Sequence, residues 1–360
     1  MRPIYGLGIF IPIAVGLEVA HASPTLIFLA AALGVIPTAA LMGESTEHLA
    51  AKTGPGLGGL LNVTFGNAPE LIIAFFALNE GLQEVVKASI VGSIIGNVLL
   101  VLGAAMLVGG LKREKQEFNR TAATAQAGML LLALTALIMP AVFQLVHGGG
   151  LPAVSEERVD FGTDLEHLSL GVAIVLMVSY VAGLIFSQRT HRSVFNPYGD
   201  DQEDHDGGWS MKRSLISLAV AAVLVGVMSE VLVGSITEAS KSIGLSEFFV
   251  GVFVVAIVGN AAEHWVAVLV AAKDKMDLAV GIAIGSSAQI ALFVAPLLVL
   301  LSFVVGPNPL ALVFNGYELA GLISAVLIAN FLASEGESTW FEGAQLLALY
   351  AVLGLVFFYA

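Results

Sequence analysis

Long apolar runs, each broken by a short cluster of charge or of glycine and proline, make up almost the whole of this chain. A bilayer core of roughly 30 Å takes about 20 apolar residues in a helix. On that length the chain divides into about eleven runs, at 4–21, 24–43, 57–79, 85–110, 121–146, 168–187, 213–238, 246–272, 278–305, 314–333 and 340–359. They are too long and too continuous for the alternating strands of an outer-membrane barrel. The pattern predicts an all-α membrane protein of about eleven transmembrane helices. Breaks fall at Lys112-Arg113-Glu114-Lys115, from Pro152 to Asp164, and from Asp200 to Gly208. The last is polar and acidic, and marks the expected domain boundary.

Composition agrees. Of 360 residues 57% are hydrophobic and 12% charged, against roughly 45–50% and 25% in soluble domains. No cysteine occurs, so a metal here must be held by oxygen or imidazole. The net charge of -13 sits largely in two clusters, Glu156 to Glu166 and Asp200 to Asp206. Its sign argues against nucleic-acid binding. The first apolar run begins with only a weak basic start at Arg2 and has no clear small-residue cleavage site, so it is expected to be a retained helix.

Basic residues alternate between loops. Arg2, Lys52, Lys112, Arg113, Lys115, Arg120, Arg189, Arg192, Lys212, Arg213, Lys273 and Lys275 fall on the side of the N-terminus, and Lys87, Arg158 and Lys241 opposite. Twelve against three predicts a cytoplasmic N-terminus and an outside C-terminus, in a multi-pass protein expected in a prokaryotic plasma membrane.

Within this frame a motif occurs twice, as Gly66-Asn67-Ala68-Pro69-Glu70 and, 193 residues on, Gly259-Asn260-Ala261-Ala262-Glu263. Gly92-Ser93 and Gly285-Ser286 repeat at the same offset. The expected division is an accessory helix at 1–22, a five-helix repeat at 23–190, an acidic cytoplasmic linker at 191–212 and a second five-helix repeat at 213–360. An odd number of spans starts the two halves on opposite sides, so they are inverted. Glu70 and Glu263 can then meet near the midplane, where secondary transporters built from inverted repeats hold their substrate.

An acid inside an apolar span points to function. Pro69 cannot donate an amide to the Phe65 carbonyl, and Gly66 and Gly259 permit close backbone approach. Carbonyls at Phe65, Gly66 and Gly259 beside two carboxylates make a site for a hard cation. Calcium, which takes six to eight oxygens in irregular geometry, suits it better than magnesium. Since Ala262 replaces Pro69 in the second copy, that helix is expected to loosen at Gly259. Two ionised glutamates balance a divalent ion and two protonated ones are neutral without it, whereas the empty ionised pair is costly to bury. Protons and calcium therefore compete.

Asn67 and Asn260 read either as cavity groups or as interhelical hydrogen-bonding glue. Ser93, Ser286, Asn97 and Gln289 fall on the helices that follow the motifs, as wall groups or small packing residues. Glu47 and Glu230 are candidate proton or cation relays on the helices before them, although Glu47, like Glu44, Glu318 and Glu342, can also sit at the lipid boundary. His264, next to Glu263, points about 100° away on a helix and is read as a packing group or a proton carrier. The acidic segment Asp200 to Asp206 reads as a solvated linker, with regulatory calcium binding as its second reading. Gly56-Leu57-Gly58-Gly59 lacks the Lys-Ser/Thr of a phosphate loop.

At Gly54-Pro55, Gly58-Gly59-Leu60-Leu61-Asn62, Thr64-Phe65-Gly66-Asn67-Ala68 with Glu70, and Val258-Gly259-Asn260-Ala261-Ala262-Glu263-His264 with Gly285-Ser286 and Gln289, the chain resembles the calcium/proton exchanger (CAX) family of the cation/calcium antiporter superfamily. The resemblance implies eleven helices in two inverted repeats after an accessory helix. It also implies a calcium site at Glu70 and Glu263, and an acidic helix in the linker. Sodium/calcium exchangers of the superfamily typically carry Thr-Ser hydroxyls just before the motif acid. Asn-Ala-Pro and Asn-Ala-Ala stand here, which favours protons over sodium. The expectation is a secondary antiporter that exports calcium for protons, with Ca2+ and H+ as substrates and no resident cofactor. The chain leaves room for a homo-oligomer. A sodium/calcium exchanger and a passive cation channel are the alternatives; no His-Glu-x-x-His occurs, so no metalloprotease is expected.

Overall fold

The computed structural model describes residues 3–154, 163–190 and 209–360. Asp200 to Asp206, and with them the expected acidic helix, lie outside the described residues. Eleven apolar helical segments follow one another: α1 (Ile4–Val19), α2 (Pro24–Gly66), α3 (Ala68–Asn79), α4 (Gln83–Gly110), α5 (Arg120–Val146), α6 (Asp164–Thr190), α7 (Met211–Ile243), α8 (Glu247–Ala272), α9 (Met276–Ser302), α10 (Gly316–Glu335) and α11 (Trp340–Tyr359). Among the described residues, nine contain stretches long and apolar enough to cross a membrane, and α1 and α3 are shorter. The only sheet among the described residues joins β1 (Gln116–Glu117) to β2 (Glu337–Ser338), antiparallel.

Local chemistry sets the ends. Thr163, Asn315 and Thr339 form capping boxes with Glu166, Glu318 and Glu342 at the starts of α6, α10 and α11. Glu318 and Glu342, offered above as lipid-boundary groups, thus serve as helix caps. α7 ends on Gly244, whose φ of 74° needs no Cβ to be accommodated.

The second and third predicted spans come out differently. Helical bonding continues from Pro24 to Gly66 where a break at 44–56 was expected. The chain nevertheless turns back, since a Cβ on Gly58 would overlap the carbonyl of Ala50, eight residues earlier and about 12 Å away along a straight helix. The true interruption is at Asn67, with φ -100° and ψ 19°, two residues before Pro69. α3 begins there and, at twelve residues, is about 18 Å long.

α4 and α9 form the centre of the bundle, with 83% and 72% of their most apolar stretches buried in protein, against 22% for α6 and 17% for α11. Each carries one of the Gly-Ser pairs, and each changes to π-helical winding just after it, at Gly96–Val101 and Ile290–Val294. α4 meets α8 closely enough that a Cβ on Gly92 would overlap the Val252 carbonyl. At one end of the bundle, loops are tied by Arg113 to Asp274 (3.0 Å) and by Lys115 to Glu337 (2.8 Å) and Glu117 (3.0 Å). These two carboxylates hold the Lys115 ammonium above the ordinary lysine range. Among the described residues, the start of α4 buries Lys87 against Glu84 (2.5 Å) and the Val313 carbonyl (2.9 Å).

Candidate cation site

The break at Asn67 directs the first turn of α3 into the bundle, so Glu70 enters a cavity of about 640 Å³ from one side. Glu263, on α8, enters it from the other. The two motifs exchange contacts. A Cβ on Gly66 would lie 3.9 Å from Glu263 Oε1, and one on Gly259 would lie 3.5 Å from Glu70 Oε1. Each glycine thus leaves room for the carboxylate of the other repeat.

Behind the carboxylates the exchange is repeated by hydrogen bonds. Ser286 Oγ lies 3.0 Å from Asn67 Oδ1, and Asn260 Nδ2 donates to Ser93 Oγ at 3.0 Å. Each asparagine is therefore bonded to the serine helix of the opposite repeat. Asn67 also donates to Gln289 Oε1 (2.7 Å), and Asn260 to the Ala256 carbonyl (2.9 Å). Both asparagines are buried, which fixes the two motif helices against α9 and α4.

Ser286 occupies a special position, because its Oγ also lies 2.8 Å from Glu263 Oε2. A hydroxyl has one proton to donate. It can donate to Asn67 Oδ1 while accepting a hydrogen bond from a neutral Glu263, or it can turn and donate to an ionised Glu263. The contact is sensitive to which form the acid takes. Glu70 Oε2, on the cavity lining, is buried and has no hydrogen-bond partner among the described residues, so the site retains an acceptor oxygen for a cation.

Gly66, Glu70, Gly259, Glu263, Ser286 and Gln289 line the cavity. Asn67, Asn260 and Ser93 are not among the lining residues and are joined to the opposite repeat by the hydrogen bonds above. The Phe65 carbonyl, expected to be free, accepts the Asn67 amide, because the break turns that N–H back onto it. α8 is not loosened at Gly259; it is α-helical from Ala256 onward and its irregularity lies a turn earlier, in the π-helical stretch Val250–Val255. Asn97 is buried outside the cavity lining, on the π-helical turn of α4. His264 is not among the residues that line the cavity.

Glu47 does line the cavity, near its mouth. Glu230 does not: the face of α7 that carries it is exposed, because the neighbouring positions Met228, Ser229 and Leu232 take the buried face. Glu44, Asp277 and Gln126 also line the cavity. Glu44, whose carboxylate accepts a hydrogen bond from Tyr5, is a wall group and not the lipid-boundary residue it resembled. Asp277 and Gln126 carry no motif, and only the packing of α5 against α9 brings them in. No group of three or more His, Asp or Glu suited to a metal occurs among the described residues. A divalent ion would rely on the two glutamates with neutral oxygens.

A helical membrane protein with paired acids from two related halves in one cavity has the construction of a secondary transporter. The chain belongs to the sodium/calcium exchanger protein family, which matches residues 23–188 and 213–359. It is 44% identical to a Ca(2+)/H(+) antiporter of Aphanothece halophytica over 99% of this chain and 96% of that one. It is 43% identical to the Ca(2+)/H(+) antiporter ChaA of Bacillus subtilis over 97% and 96%. The solved structure of native YfkE superposes with a TM-score of 0.83 at 40% identity, covering 99% of this chain and all of that one. An H+/Ca2+ exchanger CAX shares the fold at a TM-score of 0.71 and 14% identity.

Proposed function

We propose that this protein exchanges calcium for protons across a membrane by alternating access, using Glu70 and Glu263 as the shared binding site. The observation that carries this reading is the reciprocal pairing of the carboxylates, each held against the glycine of the opposite repeat in one cavity. Two ionised acids neutralise one divalent ion; two protonated acids are neutral alone. Only these two loadings are cheap to enclose, and the empty ionised pair is not. A movement that closes one side and opens the other then carries either calcium or protons, which is the condition for coupled exchange. Ca(2+)/H(+) antiporter relatives matching nearly the whole chain support the same substrates.

The cavity runs from the carboxylates to Glu47 on α2 and to Asn119 and Asp277 at the starts of α5 and α9, on the side of the loops that carry Lys112, Lys273 and Lys275. With the basic side cytoplasmic, this is the inward-open state. The N-terminus is then cytoplasmic and the C-terminus outside, the repeats at 23–190 and 213–360 are inverted about the site, and 191–212 links them on the cytoplasmic face. Gly66, Gly259, Ser286 and Gln289 shape the site; Asn67, Asn260 and Ser93 brace it.

Proteoliposomes test this directly. An imposed pH gradient should drive calcium flux in the native protein and fail to do so in Glu70→Gln and Glu263→Gln. Flux that survives both substitutions sinks the assignment. The family also includes exchangers that use sodium, so a sodium gradient at uniform pH forms the second arm; calcium flux driven by it would replace protons with sodium.

A further inference from the structure

The two ends of the bundle are related in sequence and differ in packing. α4 and α9 run antiparallel: Arg113, beyond the end of α4, pairs with Asp274, just before α9, and Gln83 at the start of α4 donates to the Asn308 carbonyl (2.8 Å), beyond the end of α9. Glu84, Val85 and Lys87 stand 193 residues before Asp277, Leu278 and Val280, the offset of the two motifs. Phe118-Asn119, ahead of α5, recurs 196 residues on as Phe314-Asn315, ahead of α10. At the α9 end Phe118, Asn119, Asp277, Leu278 and Val280 line the large cavity. At the α4 end their counterparts are all buried; Val85 is 1% exposed, where Leu278 is 45%.

The seal at the α4 end is charged. Residues 310–315 are buried without forming helix or strand, so side chains must meet their backbone groups. Ser302 and Ser169 accept the Leu310 and Leu312 amides (2.8 and 2.9 Å), and Lys87 donates to the Val313 carbonyl (2.9 Å). Lys87 is at the same time paired with Glu84 (2.5 Å). Glu318 lies close enough to feel both charges, and its Oε1, like Asn315 Nδ2, is buried with no hydrogen-bond partner among the described residues. An apolar seal would need none of these groups, and each of them gains by meeting water.

We propose that Lys87, Glu84 and the segment 310–315 form the gate on the closed face of the transporter. When the gate opens, Glu84, Val85, Phe314 and Asn315 line the entrance there, as Asp277, Leu278, Phe118 and Asn119 line the present one. The charges keep the two states close in energy, because they are bonded to one another while enclosed and hydrated once open. The inference rests on the exchange reading above and names the closed end of its route.

The chain has no native cysteine, so a single introduced thiol reports opening through its rate of reaction with a methanethiosulfonate in detergent. Val85→Cys should react slowly in an otherwise native chain. Lys87→Met leaves the Glu84 charge without its partner only while the gate is closed, so the open state gains and the Val85→Cys thiol should react roughly tenfold faster or more, in proportion to the open population. Adding Glu84→Gln removes that charge and should return the rate toward native. Val326→Cys is the control, since Val326 is buried and its counterpart Leu130 is outside the cavity lining; its rate should not change. A rise at both positions, or at neither, overturns the proposal. A second measurement leaves Lys87 in place: in proteoliposomes the Val85→Cys thiol should react faster during pH-driven calcium flux than at rest, and its modification should slow the flux. Native protein without pH-driven calcium flux would overturn the exchange reading. A protein that exchanges while Val85→Cys stays equally unreactive throughout would overturn the gate alone.

Discussion

Gly92 and Gly285 occupy the same place in the repeat, each immediately before a serine, yet adding one methyl group to each should have opposite outcomes. At Gly92 the new Cβ would overlap the Val252 carbonyl oxygen and lie 2.7 Å from its carbon, where ordinary contact begins at 3.4 Å. The backbone there cannot swing aside, so α4 and α8 must part by about 0.7 Å or more, the shortfall between those two distances. The neighbouring bond from Asn260 to Ser93, now 3.0 Å, would stretch beyond hydrogen-bonding range. Overpacking costs about 1–3 kcal/mol and the lost bond about 1 kcal/mol, together about 2–4 kcal/mol. Glu263 lies less than one turn beyond Asn260, so transport should fall with stability. At Gly285 the nearest atom is Gln126 Nε2 at 3.3 Å, the end of a flexible side chain, and Gly285→Ala should fold nearly as well as native protein. Thermal unfolding in detergent, followed by calcium flux, measures both. A Gly92→Ala protein as stable as native would refute the close approach of α4 to α8, and a markedly less stable Gly285→Ala would refute the looser contact of α9 with Gln126.

Calcium affinity should weaken as pH falls, because each ion displaces protons from two carboxylates; the logarithm of Kd should approach a slope of about two against pH in acid, and isothermal titration that found no pH dependence would remove protons from the site. Glu263→Gln should weaken calcium binding by roughly two to four orders of magnitude, the equivalent of about 3–5 kcal/mol for leaving a buried charge unbalanced, measured by isotope binding. Gln289→Leu should destabilise by about 1–3 kcal/mol by stranding the buried Asn67 amide, and Asn67→Leu in the same chain should recover part of that loss in thermal unfolding. Lys87→Met should lower stability by about 3–5 kcal/mol, since Glu84 loses its buried partner at 2.5 Å; adding Glu84→Gln should restore much of it, and no recovery would mean that Lys87 acts through the Val313 carbonyl.

The membrane class, the number of apolar segments and the two acids were all legible in the order of residues. Lipid demands long apolar helices, and it makes an intramembrane acid too expensive to keep without use. Even the pairing of Glu70 with Glu263 could be anticipated, because a repeat with an odd number of spans returns its motif to the same depth from the opposite side. Local order also set several helix ends, at Thr163, Asn315, Thr339 and Gly244.

What tertiary contact decided was which oxygens face the cavity and which lie behind it. Asn67 and Asn260 sit three residues before their acids and almost on the same helical face, so spacing alone could not assign them to cavity or brace. The serines of the opposite repeat did, by reaching them at 3.0 Å. Glu47 and Glu230 looked alike as relay candidates, and only the packing of α2 and α7 turned one toward the cavity and left the other exposed. Asp277 and Gln126 joined the lining because α5 and α9 meet there. A periodic pattern specifies which residues share a helix face, whereas a cavity is the space that several faces leave between them, and that exists only once the helices have packed.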